Sequence, residues 1–239
     1  MPCRIRKYFA SKLAFARSLW ASESGVVIVE FAYTLPIFVA FGFVGIETSN
    51  YAVNNMRASL IAMTVADNMS RAKQSVPLGL PQLREVDIND ALIGARIQGG
   101  DKLQIYENGR IIVSSLQRDT SGRQWLAWQR CKGKLNRQSL YGVQGDKQPA
   151  TGTSGFQGMG QGSARVRAEP NSAIIFAEVV YRYQPIFTNY FFGNLEIRRE
   201  AAFYVRDDRD LTGGPESNGV YNPNPTATRS GCDVYNSTF

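Results

Sequence analysis

From Val26 to Ile46 the sequence reads VVIVEFAYTLPIFVAFGFVGI, 21 residues in which Glu30 is the single charged side chain. Coiled as a helix, such a run is about 31 Å long, which matches a bilayer hydrocarbon core of about 30 Å. Signal-peptide apolar regions are shorter, and no small-residue cleavage site of the A-x-A kind follows this one, so the run is expected to stay in the mature protein. Ahead of it, residues 1–25 hold Arg4, Arg6, Lys7, Lys12 and Arg17 against Glu23, a local net charge of +4. The positive-inside tendency then sets residues 1–25 as a basic cytoplasmic leader, 26–46 as a transmembrane helix, and everything beyond as exported. A fully buried helix of a soluble protein is the alternative reading of the same run. Pro36 is tolerated in membrane helices, where neighbours absorb the lost hydrogen bond, and a bend is expected there.

Past the membrane, residues 47–76 read as an amphipathic extension of the same helix. Val53, Met56, Leu60 and Met63 recur at spacings of three and four, with Arg57, Asp67 and Arg71 elsewhere on the wheel. That stripe is expected to pack on the exported domain rather than on neighbouring subunits. Pro77, Gly79 and Pro81 then end the helix.

Residues 77–206 read as a β-rich domain. Lys102–Glu107 and Arg110–Leu116 flank Asn108-Gly109, a pair suited to the type I′ turn of a hairpin. Further strands are expected at Gln124–Arg130, Ala173–Phe187 and Leu195–Arg206, all rich in β-branched and aromatic residues. The fold class is therefore α+β, with a long N-terminal helix leading into an antiparallel sheet. Residues 142–163 carry seven glycines and almost no aliphatic side chains, the composition of a mobile loop. They contain no phosphate-binding glycine fingerprint. Residues 207–239, broken by Gly213, Gly214, Pro215, Pro223 and Pro225, are expected to form an irregular tail held mainly at Cys232.

Composition narrows the function. The chain has 27 Lys+Arg against 20 Asp+Glu and a net charge of +7, but much of that excess sits in the leader. Elsewhere no basic stretch is interleaved with aromatics, so nucleic acid is not an expected partner. The chain contains no His, the commonest general base and metal ligand, and neither a cofactor nor a metal is expected. Asp207, Asp208 and Asp210 alternate with Arg206 and Arg209, which reads as a solvated, salt-bridged strand end rather than a catalytic cleft. No enzyme and no small-molecule substrate is expected.

The most specific segment is Ser24-Gly25-Val26-Val27-Ile28-Val29-Glu30-Phe31, where a glycine closes the basic leader, the apolar helix starts at once, and a glutamate stands fifth after the glycine. This arrangement resembles the processing site of type IV prepilins, and Ala32–Pro36 is similar to the TadE branch in particular. The resemblance implies cleavage between Gly25 and Val26 by a prepilin peptidase at the cytoplasmic face of the inner membrane. It also implies that Glu30 and Phe31 serve assembly, with the major Flp pilin and other minor pilins as partners. Independently of any family, Gly25 offers a protease no side chain, and Glu30 is a charge in an apolar run, which usually marks function. The plain alternative is that Glu30 snorkels to the interface. Arg130-Cys131-Lys132-Gly133 and Ala177-Glu178-Val179-Val180-Tyr181-Arg182-Tyr183-Gln184-Pro185-Ile186-Phe187 also look like TadE-type exported domains, with Glu178, Tyr181 and Tyr183 serving strand packing. Flp major pilins carry a tyrosine after the glutamate where this chain has Phe31, and they are very short. Both departures point to a minor pilin, or pseudopilin, of a Tad (Flp-type) pilus; the competing reading is a membrane-anchored exported binding domain or enzyme unrelated to pili.

Topology also sorts the three cysteines. Cys3 lies before the apolar run, in the reducing cytoplasm, while Cys131 and Cys232 reach an oxidising compartment and are expected to pair. Alternatively each is a small buried hydrophobe, or one bonds to another subunit.

Overall fold

A helix of 48 residues, α1 (Ser24–Arg71), dominates the N-terminal part, and it runs through Pro36 without interruption. The computed structural model describes residues 24–118, 122–146, 158–187, 195–206 and 208–239; the expected leader, apart from its last two residues, lies outside that range. The chain divides into two compact units, Met1–Ser49 and Asn50–Phe239. Within the first, every residue from Gly25 to Ile46 is exposed.

In the second unit, α1 buries Ala58, Ile61, Ala62, Val65, Ala66 and Met69, each 0 % exposed. Their three-and-four spacing makes one face, which joins the main hydrophobic core of this unit. The stripe expected to enter the core lies on the opposite side: Val53, Met56, Leu60 and Met63 are 43 %, 65 %, 49 % and 41 % exposed. That expectation is corrected. Both stripes have a helical period and side-chain size favours the outer one, whereas the buried face is the one rich in alanine.

The helix ends at Arg71, five residues before the expected boundary, and Gln74 and Gln82 then bridge in antiparallel fashion. After β1 (Leu83–Arg84) comes a helix that the β-rich reading missed, α2 (Glu85–Leu103). Asp87 accepts a hydrogen bond from the Arg84 backbone N–H at 3.0 Å, so the carboxylate sits at the positive end of the helix. Ile88, Leu92, Ala95 and Leu103 form the buried face.

The expected hairpin at Asn108-Gly109 is absent. A short helix, α3 (Ile105–Asn108), occupies half of its first arm, entered through Gln104 in the left-handed region at φ 45°. Strand β2 (Gly109–Arg118) starts at the glycine, whose backbone is extended. A Cβ there would lie 2.6 Å from the Val180 carbonyl oxygen and 2.7 Å from that of Ile105, so Gly109 permits a close approach rather than a tight turn.

β2 contains the expected Arg110–Leu116, and the other strands start within a residue of where they are expected, although β4 stops five residues early: β3 (Gln124–Lys132), β4 (Ala173–Arg182) and β5 (Glu196–Tyr204). With β2 they form a four-stranded antiparallel sheet in the order β3-β2-β4-β5. A second, two-stranded sheet joins β1 in parallel to β6 (Val220–Tyr221). Strand β4 is buried at nine successive positions because both faces of the sheet are covered. Ile175, Ala177, Val179 and Tyr181 join the core with α1 and α2, while Ile174 and Phe176 join a smaller cluster with Leu116, Leu126, Met159 and Ala168. Met159 belongs to the glycine-rich segment, whose described C-terminal end makes a bridge from Met159 to Val166; residues 147–157 of the expected mobile loop lie outside the described range.

Candidate functional site

The chemistry expected of this chain falls at two places, the head of α1 and the Cys131 region. At the first, Gly25 lies in the opening turn of α1, and a Cβ placed on it meets no heavy atom within 4 Å. Val26 is 55 % and Phe31 61 % exposed, and Glu30, one turn after Val26, is exposed as well. The Thr34 hydroxyl donates to the Glu30 carbonyl at 2.9 Å. The helix is long and apolar enough to cross a membrane, and none of its apolar window is buried inside the protein. Gly25, Val26, Glu30 and Phe31 thus share one accessible stretch.

At the second place, Cys131 and Cys232 form a disulfide with Cα atoms 4.7 Å apart, bridging 101 residues. The tail is nevertheless held by much more than Cys232, which corrects the expectation. Cys131 N–H donates to the Ser230 carbonyl and Gly133 N–H to that of Asn236, both at 2.9 Å, so the tail lies along the outer edge of β3. Beneath it, the fully buried Arg110 guanidinium donates to the carbonyls of Cys232 at 2.7 Å, Gly133 at 2.9 Å and Val234 at 3.1 Å. The Tyr235 ring stacks 4.0 Å from the same guanidinium. Burial pushes the Arg110 pKa down, opposed by Tyr235 and Asp233. Ser230 and Thr228 bind Asn89 on α2, and the Phe239 ring rests between Tyr106 and Lys132.

Next to Cys131, Arg130 is buried and ion-paired to Glu85, and it also donates to Gln144 at 3.0 Å. Gln144 in turn bonds Glu216 and Arg229, knitting three loops together. On β4, Glu178 is fully buried, accepting from Ser139, from the Leu140 N–H and, at 2.8 Å, from Arg198. Desolvation raises its pKa, against those hydrogen bonds and the Arg198 charge. With Tyr141 bonded to Glu200 and Arg137 to Glu196, the segment 137–141 forms a strap across the outer face of the sheet. Tyr181 is buried, and the Tyr183 hydroxyl accepts from Asn50 at 2.7 Å. The role expected of Glu178 was strand packing; it also anchors the strap.

The Arg206–Asp210 cluster needs a correction too. Arg206 pairs with Asp67 at 3.1 Å, as an exposed strand end would, but Arg209 is 5 % exposed. It donates to the carbonyls of Met69 at 2.9 Å and Ala72 at 3.1 Å, capping the C-terminus of α1. Asp210 accepts from Thr212, Gly213 and Tyr221, and although burial opposes it, these bonds hold its carboxyl below the usual range. No local sequence pattern marks Arg209 for this role, because the helix end that it caps lies far away in the chain. Arg110 and Arg209 both spend their buried charge on backbone carbonyls.

No family model, curated protein or solved structure matches the chain.

Proposed function

We propose that the chain is a minor pilin, or pseudopilin, of a Tad (Flp-type) pilus, processed by a prepilin peptidase between Gly25 and Val26. In this reading α1 is a single-pass anchor in the bacterial inner membrane, with the leader cytoplasmic and the disulfide-bonded domain periplasmic. The subunit takes part in pilus assembly alongside the major Flp pilin and other minor pilins. The observation that carries the reading is the order leader, Gly25, apolar helix and Glu30, joined to a helix whose apolar surface finds no cover within the protein. A Cys131–Cys232 disulfide fits an oxidising compartment. Cleavage creates an α-amine on Val26 one turn from Glu30, and a neighbouring subunit's amine is a fitting partner for that carboxylate.

Sequencing the N-terminus of protein recovered from membranes of cells with an active prepilin peptidase tests this. A start at Val26 is expected, with Gly25→Ala cut slowly and a bulkier residue at 25 not cut. A mature protein that still begins near Met1 overturns the pilin reading. Glu30→Ala is expected to insert at least as well as wild type, since an acidic residue costs about 2.5–3.5 kcal/mol at mid-helix and less near an interface. Pilus assembly should nevertheless fall, and wild-type pilus numbers in that variant would leave Glu30 without an assembly role.

A further inference from the structure

The main sheet has two edges, and the tail covers one of them, bonding the N–H groups of Cys131 and Gly133 along β3. Strand β5 pairs with β4 and forms the other edge. Just outside its ends, Tyr183 N–H donates to the Leu195 carbonyl and Val205 N–H to the Ala173 carbonyl, both at 2.9 Å. Hydrogen-bonded pairs alternate along an antiparallel ladder, so the odd-numbered residues of β5 bond β4. The N–H and C=O groups of Glu196, Arg198, Glu200, Ala202 and Tyr204 therefore point away from the sheet. Among the described residues, no backbone group of another segment bonds this outward row. The strand contains no proline and its register with β4 runs without a bulge, so two of the devices that blunt an edge are missing.

The two faces of β5 differ in how their charges are met. On the face under the 137–141 strap, Glu196, Arg198 and Glu200 are engaged by Arg137, Glu178 and Tyr141. On the face toward α1, Arg199 is exposed and its guanidinium meets neutral acceptors, the Asn55 amide oxygen at 2.6 Å and the Arg198 carbonyl at 3.5 Å. Among the described residues, no carboxylate pairs with it. Ala201 and Phe203 follow on that face, half-buried against the core. Asn55, Ser59, Met63 and Asp67 stand four apart and make one row along α1. That row touches β5 at Asn55, and at its other end Asp67 pairs at 3.1 Å with Arg206, two residues beyond β5. Met63, 41 % exposed, thus offers apolar surface beside the edge.

We infer that β5 accepts, in antiparallel pairing, an extended segment of another protein that alternates polar and apolar side chains and carries a carboxylate opposite Arg199. Strand addition of this kind binds through main-chain hydrogen bonds and selects through alternate side chains. Apolar side chains two and four residues from the carboxylate meet Ala201 and Phe203, next to Met63. A second copy of β5 fits less well, because full-length antiparallel pairing sets Glu200 opposite its own counterpart. The surface lies wholly within Asn50–Phe239, so the inference stands apart from the proposed anchoring of α1.

The probe is the peptide Thr-Val-Thr-Val-Thr-Asp-Thr-Val-Thr, matched in length to β5 and added to the full chain in detergent micelles, with amide exchange read residue by residue by NMR. Exchange at Arg198, Glu200 and Ala202 is expected to slow by about tenfold, while Arg199 and Ala201, already bonded to β4, keep their rates. Methylating the backbone nitrogens of the Thr residues, which face β5 in this register, should abolish the effect, and methylating those of Val and Asp should leave it. Arg199→Glu should lose the Asp peptide and gain one with Lys in its place. Mass spectrometry of the unreduced Cys131–Cys232 bond certifies the fold, and Arg199→Gln, expected to weaken the Asp peptide, replaces Arg199→Glu if the latter fails that check. Unchanged exchange at Arg198, Glu200 and Ala202 overturns the inference, as does an effect indifferent to which nitrogens are methylated. Equal binding of the Asp peptide to the Arg199 variant overturns the carboxylate assignment. Slow exchange at these positions before any peptide is added overturns it too: the edge is then covered by the chain itself or, where the protection grows with protein concentration, by a second copy.

Discussion

The two halves of α1 answer to different surroundings although they belong to one helix. From Gly25 to Ile46 every residue is exposed and nearly every one is apolar, so no face is distinguished. From Asn50 to Arg71 one face is shut into the core through Ala58, Ile61, Ala62, Val65, Ala66 and Met69, while other positions carry Asn, Arg and Asp. A uniformly apolar helix is stable where its surroundings are apolar on all sides; a one-sided helix needs a protein on one side and water on the other. The difference teaches that the span is read from total apolarity, whereas the domain contact is read from which residues are small.

The sharpest way to break this contrast is to remove the staple that supports only the second half. Replacing both Cys131 and Cys232 by Ser is expected to destabilise the domain by up to about 4.7 kcal/mol, the chain-entropy value for a loop near a hundred residues. Denaturant unfolding followed by tryptophan fluorescence reads this, since Trp125 and Trp128 both lie on β3. Membrane association of the variant should be unchanged, and a loss of it would mean that the halves are not independent. A paired truncation comes next. Ile61→Ala should lower domain stability by about 2–5 kcal/mol, as for other buried large-to-small changes, while Ile37→Ala leaves the same unfolding transition in place. Equal shifts in the two variants would erase the distinction. The smallest effect is expected at Leu60, half-exposed on the outer face of α1. Leu60→Gln should change domain stability by no more than about 0.5 kcal/mol. A loss comparable to that of Ile61→Ala would show that the outer stripe is covered after all.

Much of the architecture was legible from periodicity. The long helix, all four strands of the main sheet and the Cys131–Cys232 pair were expected from apolarity, β-branching and topology. What escaped depended on contacts distant in sequence. Helix α2 shows Ile88, Leu92 and Ala95 at helical spacing with Glu85 and Asp87 in its first turn, a signal that was present and passed over. Asn108-Gly109 misled because the dipeptide suits a turn in isolation, while here the glycine answers to the Val180 carbonyl, 71 residues away. Arg209 reads in the sequence as part of a solvated strand end, and nothing local marks Arg110 or Arg130 as buried. Each is buried by groups that arrive from other segments, so no local pattern separates them from solvated arginines. The arrangement of Gly25, Val26, Glu30 and Phe31, on which the proposed function rests, lies entirely within one stretch of chain.

The tail lying along the outer edge of β3 also imposes an order on folding. Cys131 waits for a partner 101 residues further on, and β1 waits for β6, which lies beyond the whole four-stranded sheet. During synthesis the main sheet is complete in sequence before either closing element exists. For that interval the N–H groups of Cys131 and Gly133 have no strand-like neighbour, and the guanidinium of Arg110 lacks the carbonyls of Cys232 and Val234. An unfinished edge of this kind pairs readily with other chains, so the nascent domain is most vulnerable to misassociation just before its final residues arrive.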